Sequence, residues 1–180
     1  MKVLLFDTET TGLIDNTARP IEQQPHMIEF FGISAIQDGN KIEKVGEWES
    51  LFKYAKKLPP KIIEITGIRD VDLMRAPDFC DKAGSLSEFI NSHDRVVAHN
   101  LSFDIEIVSL MYRRLKVDFS FPKDRLCTVE ATEHLKGHRM SLTILHEHLF
   151  GEKFANAHRG RSDVEAMFRC YAKLLEMGEV

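Results

Sequence analysis

The sequence predicts an α/β domain built on a mixed five-stranded sheet flanked by helices. Three observations predict it. Short apolar runs alternate with helical periodicities in the order βββ-α-β-α-β-α-α. The first three runs are joined by turn signals short enough for an antiparallel meander. No linker, repeat or low-complexity segment separates two cores, so the 180 residues form a single domain, 1–180, long enough to bury a core without staples.

The elements follow in order. Lys2 to Asp7 is a buried strand, VLLF, that changes sharply to polar residues. Met27 to Ile36, rich in Ile and Phe, is the second strand, and Asp38-Gly39 turns it into a third over Lys41 to Phe52. Pro59-Pro60 breaks the chain, and Lys61 to Val71 reads as short helical turns and loop. Phe79, Ala83, Leu86, Phe89 and Ile90 carry a helical spacing over Asp78 to Asn91. Arg95 to His99 is a short fourth strand, followed by a helix to about Leu115 with Ser102 as its N-cap. Leu126 to Val129 is a fifth strand. Ser141 to Phe150 is a short helix ended by Gly151, and Ser162 caps a last helix with Val164, Met167, Tyr171 and Leu174 along one side.

Apolar residues at 43% and charged residues at 29% are a globular balance. The formal net charge of −4 argues against a protein that coats duplex nucleic acid through an excess of Lys and Arg. It leaves room for an enzyme that meets nucleic acid briefly and lets metal ions neutralise phosphate. Cys80, Cys127 and Cys170 are odd in number, widely spaced and form no CxxC, which suits a reducing, cytoplasmic setting. No apolar run is long enough for a membrane span, and Asp7 and Glu9 interrupt the short run at the N-terminus, so no signal peptide is expected.

Asp7 and Glu9 carry the first chemistry. Side chains two apart on a strand share a face, so both carboxylates point the same way at the end of a buried strand. Paired acids there repel and resist desolvation unless a cation neutralises them, and oxygen-rich sites suit Mg²⁺ or Mn²⁺. A polar strand end facing water explains the pair equally well. Asp104 stands in the first turn of a helix, where an acid also serves simply to complement the helix dipole. His158 lies in a loop before Asp163, placed for general-base work, but a loop histidine beside a helix-start acid is the plainer alternative. The His-x4-Asp spacing occurs twice, at His99/Asp104 and at His158/Asp163, so spacing alone selects neither.

The combination is more specific. FDTETTGL at Phe6–Leu13, HNLSFD at His99–Asp104 and HRGRSD at His158–Asp163 come in the order of the DEDD superfamily of 3′–5′ exonucleases. The chain most resembles its proofreading, DnaQ-like family, with weaker matches in MIEFFGISAI and in ITGI at Ile65–Ile68. The resemblance runs from Val3 to about Leu174. No Tyr-x3-Asp exists, so the chain resembles the His-dependent subtype, DEDDh.

The resemblance implies a ribonuclease H-like fold and two divalent metal ions, Mg²⁺ or Mn²⁺, held by Asp7, Glu9, Asp104 and Asp163, with Asp7 bridging both. It implies His158 as general base and a nucleoside 5′-monophosphate as product. Glu9 would also sense the terminal 3′-OH, the Thr10–Thr11–Gly12 backbone would let the strand end approach, and Leu13 and Phe103 would pack on the last bases, although core packing explains the last two as well. Among the basic residues, Lys136, Arg139, Arg159 and Arg161 lie nearest these motifs in sequence and are the favoured phosphate contacts, Arg159 and Arg161 foremost. The expected partner is the 3′ end of single-stranded nucleic acid, DNA before RNA, with a polymerase as a further partner and no membrane.

An RNA-directed exonuclease of the same superfamily carries the same catalytic residues, because sugar choice depends on contacts to the 2′ position. A catalytically silent replication module is the reading of another class, and it predicts decay of the acids. His134, His138, His146 and His148 fit no zinc template and read as solvated or capping histidines. Lys53, Lys56, Lys57 and Lys61, and Arg113, Arg114 and Lys116, form two further basic clusters.

Overall fold

A computed structural model describes residues 1–14, 18–155 and 158–180. Five strands, β1 (Lys2–Thr10), β2 (Met27–Asp38), β3 (Lys41–Leu51), β4 (Arg95–Ala98) and β5 (Asp124–Cys127), form one sheet in the order β3-β2-β1-β4-β5. The β1–β2 and β2–β3 pairs are antiparallel, whereas β4 runs parallel to β1, and β5 to β4. This is the expected mixed α/β sheet.

Helices cover both faces of the sheet, which is why β1 opens with four consecutive apolar residues, Val3 to Phe6, rather than alternating ones. Leu4 and Phe6 meet α3 (Phe79–Asn91) and α4 (Leu101–Leu115), whose Leu86, Ile90, Ile107 and Val108 are fully buried. On the opposite face Val3, Leu5, Phe31 and Ile33 meet Val164, Met167 and Tyr171 of α7 (Gly160–Met177). Gly32 lets α3 approach: a Cβ there would lie 2.9 Å from Leu4 and 3.0 Å from the Phe89 ring. Gly39, at φ +58°, makes the hairpin between β2 and β3 as its sequence predicts. Two short helices, α1 (Pro60–Thr66) and α2 (Asp70–Met74), fill the segment after the proline pair, and α6 (Leu142–Phe150) is capped by Ser141, whose hydroxyl accepts from the Ile144 N–H.

Three local expectations need correction. The fifth strand ends at Cys127, and Thr128 opens a helix, α5 (Thr128–Lys136), that the apolar pattern does not show. Its buried face is built on Thr128 and Thr132 with Val129, and Thr132 satisfies its hydroxyl by donating to the Thr128 carbonyl at 2.7 Å. Ser102 is the second residue inside α4, because Asn100, left-handed at φ 78°, already makes the turn out of β4. Ser162 likewise lies inside α7, whose N-cap is Arg159 with no side-chain bond of its own.

Candidate active site

The C-terminal end of β1 and the first turns of α4 and α7 meet at one place. Asp7 and Glu9 lie on the α7 face of β1, as strand alternation requires, and Thr8 lies on the α4 face. A carboxylate oxygen each from Asp7, Glu9 and Asp163 falls within a 4.8 Å span. Asp104 approaches from the opposite layer. The residue is 2% exposed, and its Oδ1 accepts from the Thr8 hydroxyl at 2.7 Å and the Thr8 N–H at 3.1 Å. Thr8 thus anchors one acid while its neighbours in sequence present two others.

The electrostatics follow from crowding. Burial pushes Asp7 well above the carboxylate range, and the charges of Asp104, Glu9, Asp163 and Glu29 push it further. Glu9 rises to about 8, first through burial and then through Asp163, Glu29 and Asp104, against the opposing pull of Arg159. Burial lifts Asp104 to about 7 although the Thr8 bonds favour its ionised form, and lifts Asp163 to about 7 although the His158 N–H favours its charge. Acids this strained, offering only hard oxygen donors, fit a small divalent cation, which would discharge the repulsion they generate.

His158 opens onto the same cleft, lined also by Asp7, Asp163, His99, Leu142 and Phe154. Its φ of 69° is left-handed, a conformation non-glycine residues rarely hold. The bond from its backbone N–H to Asp163 Oδ2, at 2.9 Å, ties this loop residue to the acid five places on. The other His-x4-Asp histidine is engaged elsewhere. His99 donates from Nε2 to the Met140 carbonyl at 3.0 Å and accepts at Nδ1 from the Thr128 hydroxyl at 2.9 Å. Burial first, then Arg139, holds its proton affinity down to about 4 despite the Met140 carbonyl. Both ring nitrogens are occupied, which separates the two histidines that spacing could not.

The remaining predicted positions lie around this centre. Thr10 is buried and its hydroxyl donates to the Gly12 carbonyl at 2.6 Å, while Thr11 exchanges two bonds with His26, through its N–H at 2.9 Å and its hydroxyl at 3.0 Å. Together they shape the turn after Glu9. Leu13 is 81% exposed at the end of that turn, and Phe103 packs against the core. Arg159 reaches Glu29 at 3.2 Å. Arg161 lies over the Phe31 ring and forks onto Glu47 and Glu49 of β3 at 2.7 and 2.8 Å.

Sequence reasoning missed Thr8 and Glu29. Both lie inside family-like stretches, FDTETTGL and MIEFFGISAI, but neither carries a chemistry there that singles it out, and only strand register, which pairs Glu29 with Glu9, would have drawn attention to the second. The basic clusters are partly structural: Lys53 pairs with Asp78, and the Arg114 guanidinium holds the carbonyls of Ile21, Gln24 and Pro25. The histidines after Cys127 do not converge. His134 meets Glu179, His138 meets the Lys136 carbonyl and buried His146 meets the Glu152 carbonyl. Among the described residues the acids alone form a group able to hold a metal ion.

Known proteins resemble this chain. The family model described as "Exonuclease" (RNase_T) matches residues 4–171. DNA polymerase III PolC-type of Bacillus subtilis (strain 168) is 30% identical over 179 residues, which are 96% of this chain and 11% of the polymerase. The chain therefore spans about a tenth of that relative's length. Among solved structures, the nuclease domain of 3′hExo, a DEDDh family member bound to rAMP, has a TM-score of 0.79 at 16% identity, covering 98% of this chain and 92% of that one. Exonuclease X in complex with 5′ overhanging duplex DNA has a TM-score of 0.63 at 20% identity, covering 97% and 90%. These two likenesses establish the fold, the ribonuclease H-like one. No described helix is long and apolar enough to cross a membrane.

Proposed function

The chain belongs to the exonuclease family whose model spans residues 4–171, and on that premise we propose that it removes nucleotides one at a time from the 3′ end of single-stranded DNA. The observation that carries this reading is the convergence of Asp7, Glu9 and Asp163 on one point, with His158 on the same cleft. A catalytically silent module has no reason to keep such mutually repelling acids, so that alternative is disfavoured.

Asp7, Glu9, Asp104 and Asp163 would hold two divalent ions, Mg²⁺ or Mn²⁺. When bound, such ions neutralise the scissile phosphate and stabilise the charge that develops on it and on the leaving 3′ oxygen. The chain's own groups do the rest. His158 accepts the proton of the attacking water as the new P–O bond forms and the bond to the 3′ oxygen breaks, releasing a nucleoside 5′-monophosphate. Asp163 holds the His158 backbone through the 2.9 Å bond, keeping base and acid in fixed relation. Thr8 orients Asp104. The Thr10–Gly12 turn admits the strand end, Glu9 meets the terminal 3′-OH, and Leu13 and Phe103 pack on the last bases. Arg159, which would leave the single carboxylate of Glu29, is better placed for phosphate than Arg161, which would have to leave both Glu47 and Glu49.

The polymerase relative supports DNA as substrate, and a cytoplasmic proofreading or repair role beside a polymerase. Nucleotide release from single-stranded DNA, mismatched duplex and short RNA, compared by kcat/KM with Mn²⁺, tests the substrate. A preference for RNA would replace the DNA reading by its ribonuclease counterpart. Asp7→Ala should abolish release while leaving the far-UV circular dichroism spectrum intact, and EDTA should do the same to the native chain. Full activity in either case would overturn the assignment.

A further inference from the structure

Glu29 is a fifth acid beside the cluster, and the mechanism above does not use it. It stands opposite Glu9 in the β1–β2 register and, by strand alternation, on the same α7-facing side as Asp7 and Glu9. Its side chain is 12% exposed. A carboxylate so placed raises the proton affinity of Asp7, Glu9 and Asp163. Something must hold it there against that repulsion.

Its oxygens show what does. Oε2 accepts from the Gly160 N–H at 3.0 Å, and Oε1 accepts from the Arg159 guanidinium at 3.2 Å. Those two residues are the first helical residue and the N-cap of α7, and the N-cap side chain does not cap the helix's own N–H groups. The first N–H groups of a helix lack partners within it and carry partial positive charge, so a carboxylate is a favourable neighbour. Here the cap comes from a strand 131 positions away. The fit is close: a Cβ on Gly160 would lie 3.2 Å from Glu29 Oε2 and 3.2 Å from the Phe31 Cβ.

The same first turn carries the chemistry. The Asp163 N–H donates to the Arg159 carbonyl at 2.9 Å, and Asp163 Oδ2 accepts from the left-handed His158 at 2.9 Å. A continuous set of bonds therefore runs from β2 through the start of α7 to both Asp163 and His158. We propose that Glu29 is the positioning residue of the site, a cap supplied across the sheet that seats the start of α7 and so fixes the proton acceptor and the fourth acid relative to Asp7 and Glu9. It acts through Gly160 and Arg159, and the proposal rests on the exonuclease reading above for its kinetic consequence only.

Two variants and two readouts test it. Glu29→Ala removes both bonds, whereas Glu29→Gln keeps an oxygen able to accept from Gly160. With Mn²⁺ and a single-stranded oligonucleotide, Glu29→Ala should lower kcat by at least about tenfold with KM nearly unchanged, because small misplacements of reacting groups act on turnover. Glu29→Gln should stay within about threefold of the native kcat, since the backbone acceptor survives. In metal-free protein, amide hydrogen exchange at Gly160 should accelerate at least about tenfold in Glu29→Ala and stay near native in Glu29→Gln, with Val164–Tyr171 unchanged in both.

Native kcat together with native Gly160 exchange in Glu29→Ala would overturn the proposal. Collapse of kcat in Glu29→Gln with Gly160 still protected would also overturn it, since the charge and not the cap would then matter. If the native chain releases no nucleotide, the exonuclease reading fails and the exchange data alone decide the positioning. Should Glu29→Ala not fold, Glu29→Gln decides by the same criteria.

Discussion

Replacing Glu9 by Gln should make the metal-free protein more stable while disabling it. The native fold holds the Glu9 carboxyl at about 8, against 4.5 in an open chain, through burial and the charges of Asp163, Glu29 and Asp104. A group raised in the folded state contributes stability fully present below the unfolded value and lost as pH rises through the folded one. Glu9 therefore costs the native state progressively between about pH 4.5 and 8. A displacement of that size corresponds to on the order of 5 kcal/mol, part of which returns as Asp163 or Asp104 takes the proton instead. Even one pH unit's worth, about 1.4 kcal/mol, should raise the melting temperature of a chain this size by at least about 3 °C. Thermal unfolding in EDTA, followed from pH 4 to 9, is the assay. Glu9→Gln and the native chain should melt together near pH 4 and diverge as pH rises. Excess Mn²⁺ at pH 8 should then stabilise the native chain more than the variant, because it supplies the charge the acids lack. Equal melting across the range, or a less stable Glu9→Gln at pH 9, would refute the electrostatic account of the cluster.

His158→Ala should lower kcat by about two or more orders of magnitude with little change in KM, as expected for loss of a general base; a defect confined to KM would remove that role. Thr8→Val deletes the hydroxyl that donates to Asp104 at 2.7 Å. It should destabilise the fold by about 1–3 kcal/mol, seen as a lower urea midpoint at unchanged slope, and an unmoved midpoint would mean that Asp104 is held otherwise. Arg159→Ala should reduce the salt dependence of single-strand binding by about 0.7 in logarithmic slope, one phosphate contact. Arg161→Ala should leave that slope unchanged, since two carboxylates, Glu47 and Glu49, hold it where Arg159 has only Glu29. The opposite result would exchange the two arginines' places.

Much of this molecule was legible from local pattern. Strand alternation put Asp7 and Glu9 on one face, although β1 runs past the expected end at Asp7 to Thr10, with Thr8 and Thr10 still buried. The apolar spacing of α7 gave its buried side. What failed was what local pattern cannot carry. The helix α5 hid because threonines form its buried face. Ser102 and Ser162 looked like caps, yet the left-handed Asn100 and the distant Glu29 serve those helix starts.

The site divides along the same line. The chain's order of acids and the absence of Tyr-x3-Asp are properties of the sequence; the resemblance they carry pointed to the family that the model over residues 4–171 shows, and to the His-dependent subtype as its expectation. Which histidine has both ring nitrogens engaged, what orients Asp104 and what caps α7 were decided only by tertiary structure. Each depends on a bond between residues far apart in the chain: Met140 and Thr128 to His99, Thr8 to Asp104, Glu29 to Gly160. Such partners meet because two helices pack on opposite faces of one sheet and bring their first turns to the same strand end, a geometry that strand register and layer packing set and that residue spacing does not encode.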